Sequence, residues 1–556
     1  MFAVGRSSNT LRYQKFFWKR NIFDQARKIF ASDNINPIPP DTNFVDFVWK
    51  DHHRWASRTA VTCGISGRSL TYGQTFGAFD RLSVNLPAKL GLKSGDVVAL
   101  LLPNVPEFPI AFFGAASAGL VVSPLNPLYT PDELAKLFAC SKAKAVVTIS
   151  SLLPNVKSAF EKNPGVGMPV ILVDGADTED QISLERLTTE IIRGAERLEK
   201  PGPESLIALP FSSGTTGVPK GVVLNHLNLV ANVCGINHRD SIPFFETGST
   251  IAVIPFFHIY GTVIFMGMTF NRGHHLVTLP KFDPLTFNNA IKTYKPTSLF
   301  LVPPLMLHLA RSPQITSETL KNLKFIGTGA APITGQTLDE VVLKTQINGT
   351  IVKNGFGMTE TAGMISIMTD SIKVGQKAIS IGTISSNAEV KIVGENDETL
   401  PLGEEGELWI RGPQVMKGYL DNKEATKEIL TEDGWLKTGD VARLDEHGAI
   451  YIVDRLKDII KVKGFQVSPT ELEDIIVKME GVADVAVVGV SIGEDEGPKA
   501  CVVKKKDSNI SAEDVISYLD AKVAKFKRLT GGVQFVDQIP RSAAGKILKK
   551  DISVAM

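Results

Sequence analysis

Residues 97–149, VVALLLPNVPEFPIAFFGAASAGLVVSPLNPLYTPDELAKLFACSKAKAVVTI, carry the pattern that decides the fold class. Residues 97–102, 120–122 and 145–149 are short, mostly aliphatic runs, the pattern of strands buried on both faces. The stretch after Glu107 is apolar all round, as a buried helix is. Thr130-Pro131-Asp132-Glu133 then sets out a cap, a proline at the first helical position and acids in the first turn. Residues 170–173 repeat the strand pattern. Doubly buried strands alternating with helices indicate parallel sheets covered on both faces.

Outward from this stretch, the character changes after about residue 380. Short alternating strands and Gly turns take over, as in residues 406–412. The charged strip Asp454-Arg455-Leu456-Lys457-Asp458 leads into a final segment with apolar runs at 485–490 and 500–503. There Ser511-Ala512-Glu513-Asp514 starts a helix with a serine cap and an acidic first turn. The expected fold is α/β: a large N-terminal domain of covered mixed or parallel sheets with a β-rich subdomain, and a small mobile α+β C-terminal lid. The expected divisions are a basic extension over 1–35, the large domain over 36–456 and the lid over 457–556.

Composition narrows the function classes. The 556 residues are 43% hydrophobic and 21% charged, as in ordinary globular chains, and a net charge of +1 gives no field to gather nucleic acid. Cys63, Cys140, Cys234 and Cys501 lie far apart with no CxxC pair, which argues against a disulfide framework or structural zinc and for a reducing compartment. Residues 108–131 and 251–271 lack Asp, Glu, Lys and Arg and are long enough to cross a bilayer. Pro109, Pro124, Pro127, Pro131 and Pro255 break them, so they read as strand–turn–helix pieces of a buried core. Residues 1–30 carry Arg6, Arg12, Lys15, Lys19, Arg20, Arg27 and Lys28 against Asp24 alone, a charge of +6. That is the composition of a mitochondrial presequence, and equally of a solvated helix ahead of the first domain. No apolar core of a secretion signal is present, and Ser553-Val554-Ala555-Met556 is not of the Ser-Lys-Leu type. The mitochondrion is the expected location, with peroxisome or cytosol as alternatives.

The densest chemical signal is residues 209–221, LPFSSGTTGVPKG. Ser212, Ser213, Thr215 and Thr216 bring hydroxyls, Gly214 lets the backbone turn its N–H groups onto an anion, and Lys220 adds a cation. A flexible surface turn shares the glycines but needs no lysine before strand character resumes at Val222. Gly-x-x-x-x-Gly-Lys-Ser/Thr is absent, which disfavours a P-loop NTPase. Gly327-Thr328-Gly329 and Gly355-Phe356-Gly357 both lack the last glycine of the dinucleotide fingerprint. Neither Gly-x-Ser-x-Gly nor His-Glu-x-x-His occurs.

The loop resembles the signature of the adenylate-forming superfamily, which includes acyl-CoA synthetases, firefly luciferase and peptide-synthetase adenylation domains. The resemblance runs in order through residues 329–332, 354–360, 435–440, 454–458, 461–465 and 540–546, and so from about residue 40 to the end. It is nearest to 4-coumarate–CoA ligase and related acyl-CoA ligases. It implies ATP, CoA and Mg²⁺ as cofactors. Ala330, Gly355 and Phe356 would face adenine, although Phe356 also reads as a core aromatic. Thr359 would bond the α-phosphate, and Glu360 would offer Mg²⁺ a hard oxygen. Asp440 would accept the ribose hydroxyls beside Arg455, with Lys457 and Lys461 also at the nucleotide.

His258 would guard the route to the carboxylate, although a lone histidine among apolar residues also occurs as a satisfied core group. Tyr260, Gly261, Thr262 and Asn354 would line the acyl site. Asn354 stands where the plant enzymes usually carry Gln, and Phe356 where Tyr is commoner, which puts a hydroxycinnamate substrate in doubt. Lys546 would neutralise charge between carboxylate and α-phosphate, although the turn that carries it could simply be solvated. The lid would rotate about Lys457, bringing Lys463, Gly464 and Phe465 to a CoA channel opposite Lys281.

The expected reaction is ATP-dependent acid–thiol ligation, giving an acyl-CoA from a medium- or long-chain fatty or aryl acid through acyl-AMP. A luciferase-like oxygenase and a non-catalytic nucleotide sensor are the alternatives. The expected partners are these small molecules, with neither nucleic acid nor a membrane span.

Overall fold

The computed structural model describes residues 22–32, 36–190, 192–212, 219–238, 241–333, 335–345, 349–376, 379–462, 465–492, 495–542 and 545–552. Among these residues the strands form two nine-stranded sheets, a six-stranded sheet and two small C-terminal sheets.

The quoted stretch lies in the first nine-stranded sheet. Val97–Leu101 sits centrally and runs parallel to both Val121–Pro124 and Ala145–Thr148, followed outward by Val170–Leu172 and Gln181–Ser183. Every residue from Val98 to Leu102 is buried, which is why these strands read as unbroken apolar runs. The helix Glu107–Ser117 buries Phe108 to Ala116, and Pro131–Ser141 starts on a capping box between Thr130 and Glu133. At the far side of the sheet Lys220–Asn225 is antiparallel to Leu206–Ala208 and to Phe211–Ser212, so the Ser/Thr/Gly segment joins two paired strands.

The second nine-stranded sheet places Ser249–Ala252, Ser298–Leu301, Phe325–Thr328 and Ile351–Met358 side by side and parallel. Of the two charge-free stretches, residues 251–271 run from the first of these strands through a turn into Ile259–Gly261 and a π-helical segment, Thr262–Met268. Gly267 within it packs closely: a Cβ there would lie 2.7 Å from Val233 and 3.3 Å from Phe44. Among the described residues no helix is long and apolar enough to cross a membrane.

The β-rich region after residue 380 is an antiparallel sheet of Glu389–Val393, Gly406–Arg411, Leu436–Leu444 and Ile450–Arg455. Two strands from the opposite end of the chain complete it. Ile22–Asp24 and Ile29–Ala31 form a hairpin that pairs with Glu389–Val393 through Phe30↔Val390 and Ala31↔Glu389. The sequence groups this hairpin with the basic extension, of which residues 1–21 lie outside the described set. Beyond Ile460 the strands make their own sheets: Ile460–Val462 with Phe465–Val467, and Val482–Ile492 with Asp495–Lys504 and Val533–Phe535. The helices Pro469–Ile476 and Ala512–Asp520 pack on them through a core of Leu472, Ile476, Val515 and Leu519.

Candidate active site

In an open α/β sheet the crevice beyond the carboxyl ends of the parallel strands is where ligands bind. Here that edge carries the segments following Ala252, Leu301, Thr328 and Asn354, namely residues 253–262, 302–304, 329–333 and 355–360. Ala330 sits there at φ 73°, a left-handed conformation that costs an alanine roughly 1–2 kcal/mol.

The C-terminal segment closes onto the same edge. Ser542 N–H donates to the Lys546 carbonyl (2.8 Å) and Gly545 N–H to that of Ser542 (2.8 Å). Arg541 holds the turn, donating to the Gly545 carbonyl (3.1 Å) and forking onto Asp484 (2.8 and 2.9 Å). Gly545 has φ 80°, and a Cβ there would stand 2.8 Å from Pro304 at the start of the helix Pro303–Arg311. Only glycine lets the turn come so close.

This docking delivers Lys546 to a carboxylate–guanidinium pair. Asp440 and Arg455 are direct cross-strand partners, and Arg455 Nε lies 3.0 Å from Asp440 Oδ1. Asp440 is 3% exposed, and its Oδ2 has no hydrogen-bond partner among the described residues. Burial raises the Asp440 carboxyl above its ordinary range, with Arg455 and Lys546 pulling it back. The Lys546 ammonium is brought down to about 8, first by burial and then by the repulsion of Arg455 and Lys457, against the pull of Asp440. Asp454 ties the two parts of the chain together, accepting from Ser468 Oγ (2.6 Å) and Thr470 N–H (3.0 Å) at the start of the helix Pro469–Ile476.

A second cluster forms beside the Ser/Thr/Gly segment. Gly418–Tyr419 is antiparallel to Lys220–Asn225, with Tyr419 opposite Val222. Lys220 shares the face of Val222, so its ammonium lies over the Tyr419 ring, 5.1 Å from the centroid. The Tyr419 hydroxyl lies beside Ser212 and donates to Glu360 Oε1 (2.9 Å). Ser213, Gly214, Thr215 and Thr216 lie outside the described residues. Sequence reasoning did not single out Tyr419, because a Gly-Tyr pair carries no local chemical signal.

On the acyl side, His258 caps the turn by accepting from Tyr260 N–H at Nδ1 (3.2 Å), and burial holds its imidazole at about 4, hence neutral. Gly261 and Thr262 are bound up in the turn itself. A Cβ on Gly261 would lie 2.1 Å from the Pro255 carbonyl, and the Thr262 hydroxyl donates to Phe256 O (2.9 Å). Asn354 is buried and donates to Ser380 O (3.3 Å). Phe356 packs on the core of the β-rich sheet.

Residues 48–420 match the model of the AMP-binding enzyme family, and residues 471–546 that of the AMP-binding enzyme C-terminal domain. The chain belongs to the AMP-binding enzymes. It is 34% identical to 4-coumarate–CoA ligase 1 of Arabidopsis thaliana over 93% of each chain. It is 35% identical to 4-coumarate–CoA ligase CCL1 of Humulus lupulus over 92% of this chain and 94% of that one. ATP-bound MatB from Rhodopseudomonas palustris superposes with a TM-score of 0.81 at 29% identity, covering 92% of this chain and 98% of that one. This AMP-binding enzyme is an AMP-forming carboxylate–CoA ligase with ATP and CoA as substrates.

The remaining expected residues of this AMP-binding enzyme fall in several places. Thr359 and Glu360 open the 3₁₀ turn Thr359–Thr361. Lys457 is exposed, within electrostatic reach of Lys546. Lys461 is exposed on the hairpin after it, with its N–H on Glu496 Oε2 (2.9 Å). Lys281 is exposed just ahead of the helix Pro284–Tyr294. Lys463 and Gly464 lie outside the described residues, and Phe465 begins the strand Phe465–Val467.

Proposed function

We propose that this ligase activates an aromatic carboxylic acid, uses Mg²⁺, and works in mitochondria. The observation that carries its catalytic reading is the placement of Lys546 beside Asp440 and Arg455 at the carboxyl edge of the sheet. A carboxylate oxygen of the acid attacks the α-phosphorus of ATP, and pyrophosphate leaves. Lys546 neutralises charge where the two anions meet, and the free oxygen of Asp440 takes the ribose hydroxyls. CoA sulfur then attacks the acyl carbon and AMP leaves. The second step follows rotation of the lid about Lys457, which withdraws Lys546 and turns the segment from Lys463 to Phe465 toward CoA. His258, neutral and held at Nδ1, stands at the turn beside the entering acid.

Glu360 fits a divalent cation: it is 7% exposed, one oxygen is fixed by Tyr419, and Thr359 adds a hydroxyl beside it. Bound there, Mg²⁺ would supply positive charge to the phosphates.

The relatives named as 4-coumarate–CoA ligases support an aryl acid over a fatty acid. A panel of benzoates, cinnamates, fatty acids and acetate compared by kcat/KM tests this, since one methylene changes discrimination by about 1–3 kcal/mol. An aryl acid is expected to lead, and a fatty acid or acetate in first place overturns the substrate reading. The +6 charge of residues 1–30 supports the location. Residues 1–35 fused to a fluorescent reporter are expected to take it to mitochondria, and a diffuse signal would refute that.

A further inference from the structure

Residues 416–420 run between the strand that carries Lys220 and the turn that carries Glu360, and they are fastened to both. Lys417 N–H donates to Val223 O (3.0 Å) and Leu420 N–H to Gly221 O (2.8 Å) on one side, and Met416 N–H to Glu360 O (2.9 Å) on the other. Tyr419 N–H is satisfied by Thr426 Oγ1 (2.9 Å), so backbone bonds on every side fix where its ring can go. Its hydroxyl donates to Glu360 Oε1, and its face carries the Lys220 ammonium.

We infer that Tyr419 is a positioning residue for nucleotide and metal: its hydroxyl holds the Glu360 carboxylate in the rotamer that receives the divalent cation, and its ring holds the Lys220 ammonium in place for the triphosphate. The geometry separates the two tasks. The oxygen end faces the carboxylate, and the aromatic face, with its negative quadrupole, meets the cation. The inference rests on the adenylation reading and adds a residue to it.

The test uses the full chain and reads binding rather than turnover. Mn²⁺ serves as the paramagnetic probe, titrated into enzyme with saturating ATP and followed by electron paramagnetic resonance, while ATP binding in EDTA is measured by calorimetry. A hydrogen bond to a charged group contributes about 1.5–3 kcal/mol, so Tyr419→Phe is expected to weaken Mn²⁺ binding about tenfold or more. It keeps the ring, and ATP binding in EDTA is expected to stay within about twofold of wild type, which also shows that the variant is folded. Tyr419→Leu removes ring and hydroxyl and is expected to weaken both. Wild-type Mn²⁺ affinity in Tyr419→Phe, or equal losses of Mn²⁺ and metal-free ATP binding in it, would overturn the inference. A wild-type chain that bound no ATP would instead sink the adenylation reading.

Discussion

Lys546→Ala is expected to lower acyl-AMP formation about 10²–10³-fold, the effect of deleting one preorganised charge-stabilising group at a reacting phosphate. Transfer of preformed acyl-AMP to CoA is expected to stay within a few-fold of wild type. The expected asymmetry follows from where the lysine sits: a turn on the C-terminal part of the chain, docked on Pro304, places it within reach of Asp440 and Arg455. Pyrophosphate exchange reads the first half-reaction and thioester formation from synthetic acyl-AMP the second. Equal impairment of both would refute an alternating lid. The same lysine sets a pH limit. With its ammonium lowered to about 8 by burial and neighbouring cations, the charged form is lost as pH rises through 8. Adenylation is therefore expected to fall above pH 8 while thioester formation from acyl-AMP does not share that limb.

Asp440→Asn is expected to weaken ATP and AMP binding about 10- to 100-fold without lowering the melting temperature. The affinity loss follows from two hydroxyl donors losing an anionic acceptor, at about 1.5–3 kcal/mol for a hydrogen bond to a charged group. The stability expectation follows from the sign of the pKa shift. Burial raises the Asp440 carboxyl, so the folded chain binds this proton more tightly than the unfolded chain does. Stability then falls as pH rises from the unfolded value through the folded one, and at neutral pH the charge is a cost. The amide removes that cost, while Arg455, about a third exposed, keeps water as a partner. The site holds its carboxylate against the fold's own interest, a usual trade at a binding centre. Calorimetric affinity and a thermal scan together check it, and a large drop in melting temperature would show that Asp440 is mainly structural.

What could be read from the sequence was what local pattern encodes. Residues 97–102 and 145–149 announce doubly buried parallel strands because all their positions but Thr148 are apolar, and Thr130 announces a helix because its cap bonds lie within three residues. Asp440 and Arg455 were legible only through motif resemblance, since nothing in a Thr-Gly-Asp string tells that a strand partner fifteen residues on places a guanidinium opposite. Tyr419 was not legible: its role exists only where a two-residue strand, Gly418–Tyr419, meets Lys220–Asn225 nearly two hundred residues earlier. The π-helical turn of Thr262–Met268 was not legible either, since no local residue pattern distinguishes it from an ordinary buried helix. Thr262, expected along the acyl pocket, spends its hydroxyl on that turn.

The hairpin of Ile22–Asp24 and Ile29–Ala31 sets a limit on how far the chain can be shortened from its start. Phe30 is 8% exposed, its ring 4.9 Å from that of Phe23 and directly over Gly448, and Ser32 N–H still donates to Ala388 O (3.1 Å). Removing the chain through Ala31 would strip two strands from the antiparallel sheet and leave the backbone of Glu389–Val393 as an open border, ready to template pairing with another chain. A shortened chain that keeps this sheet covered must therefore begin ahead of Ile22.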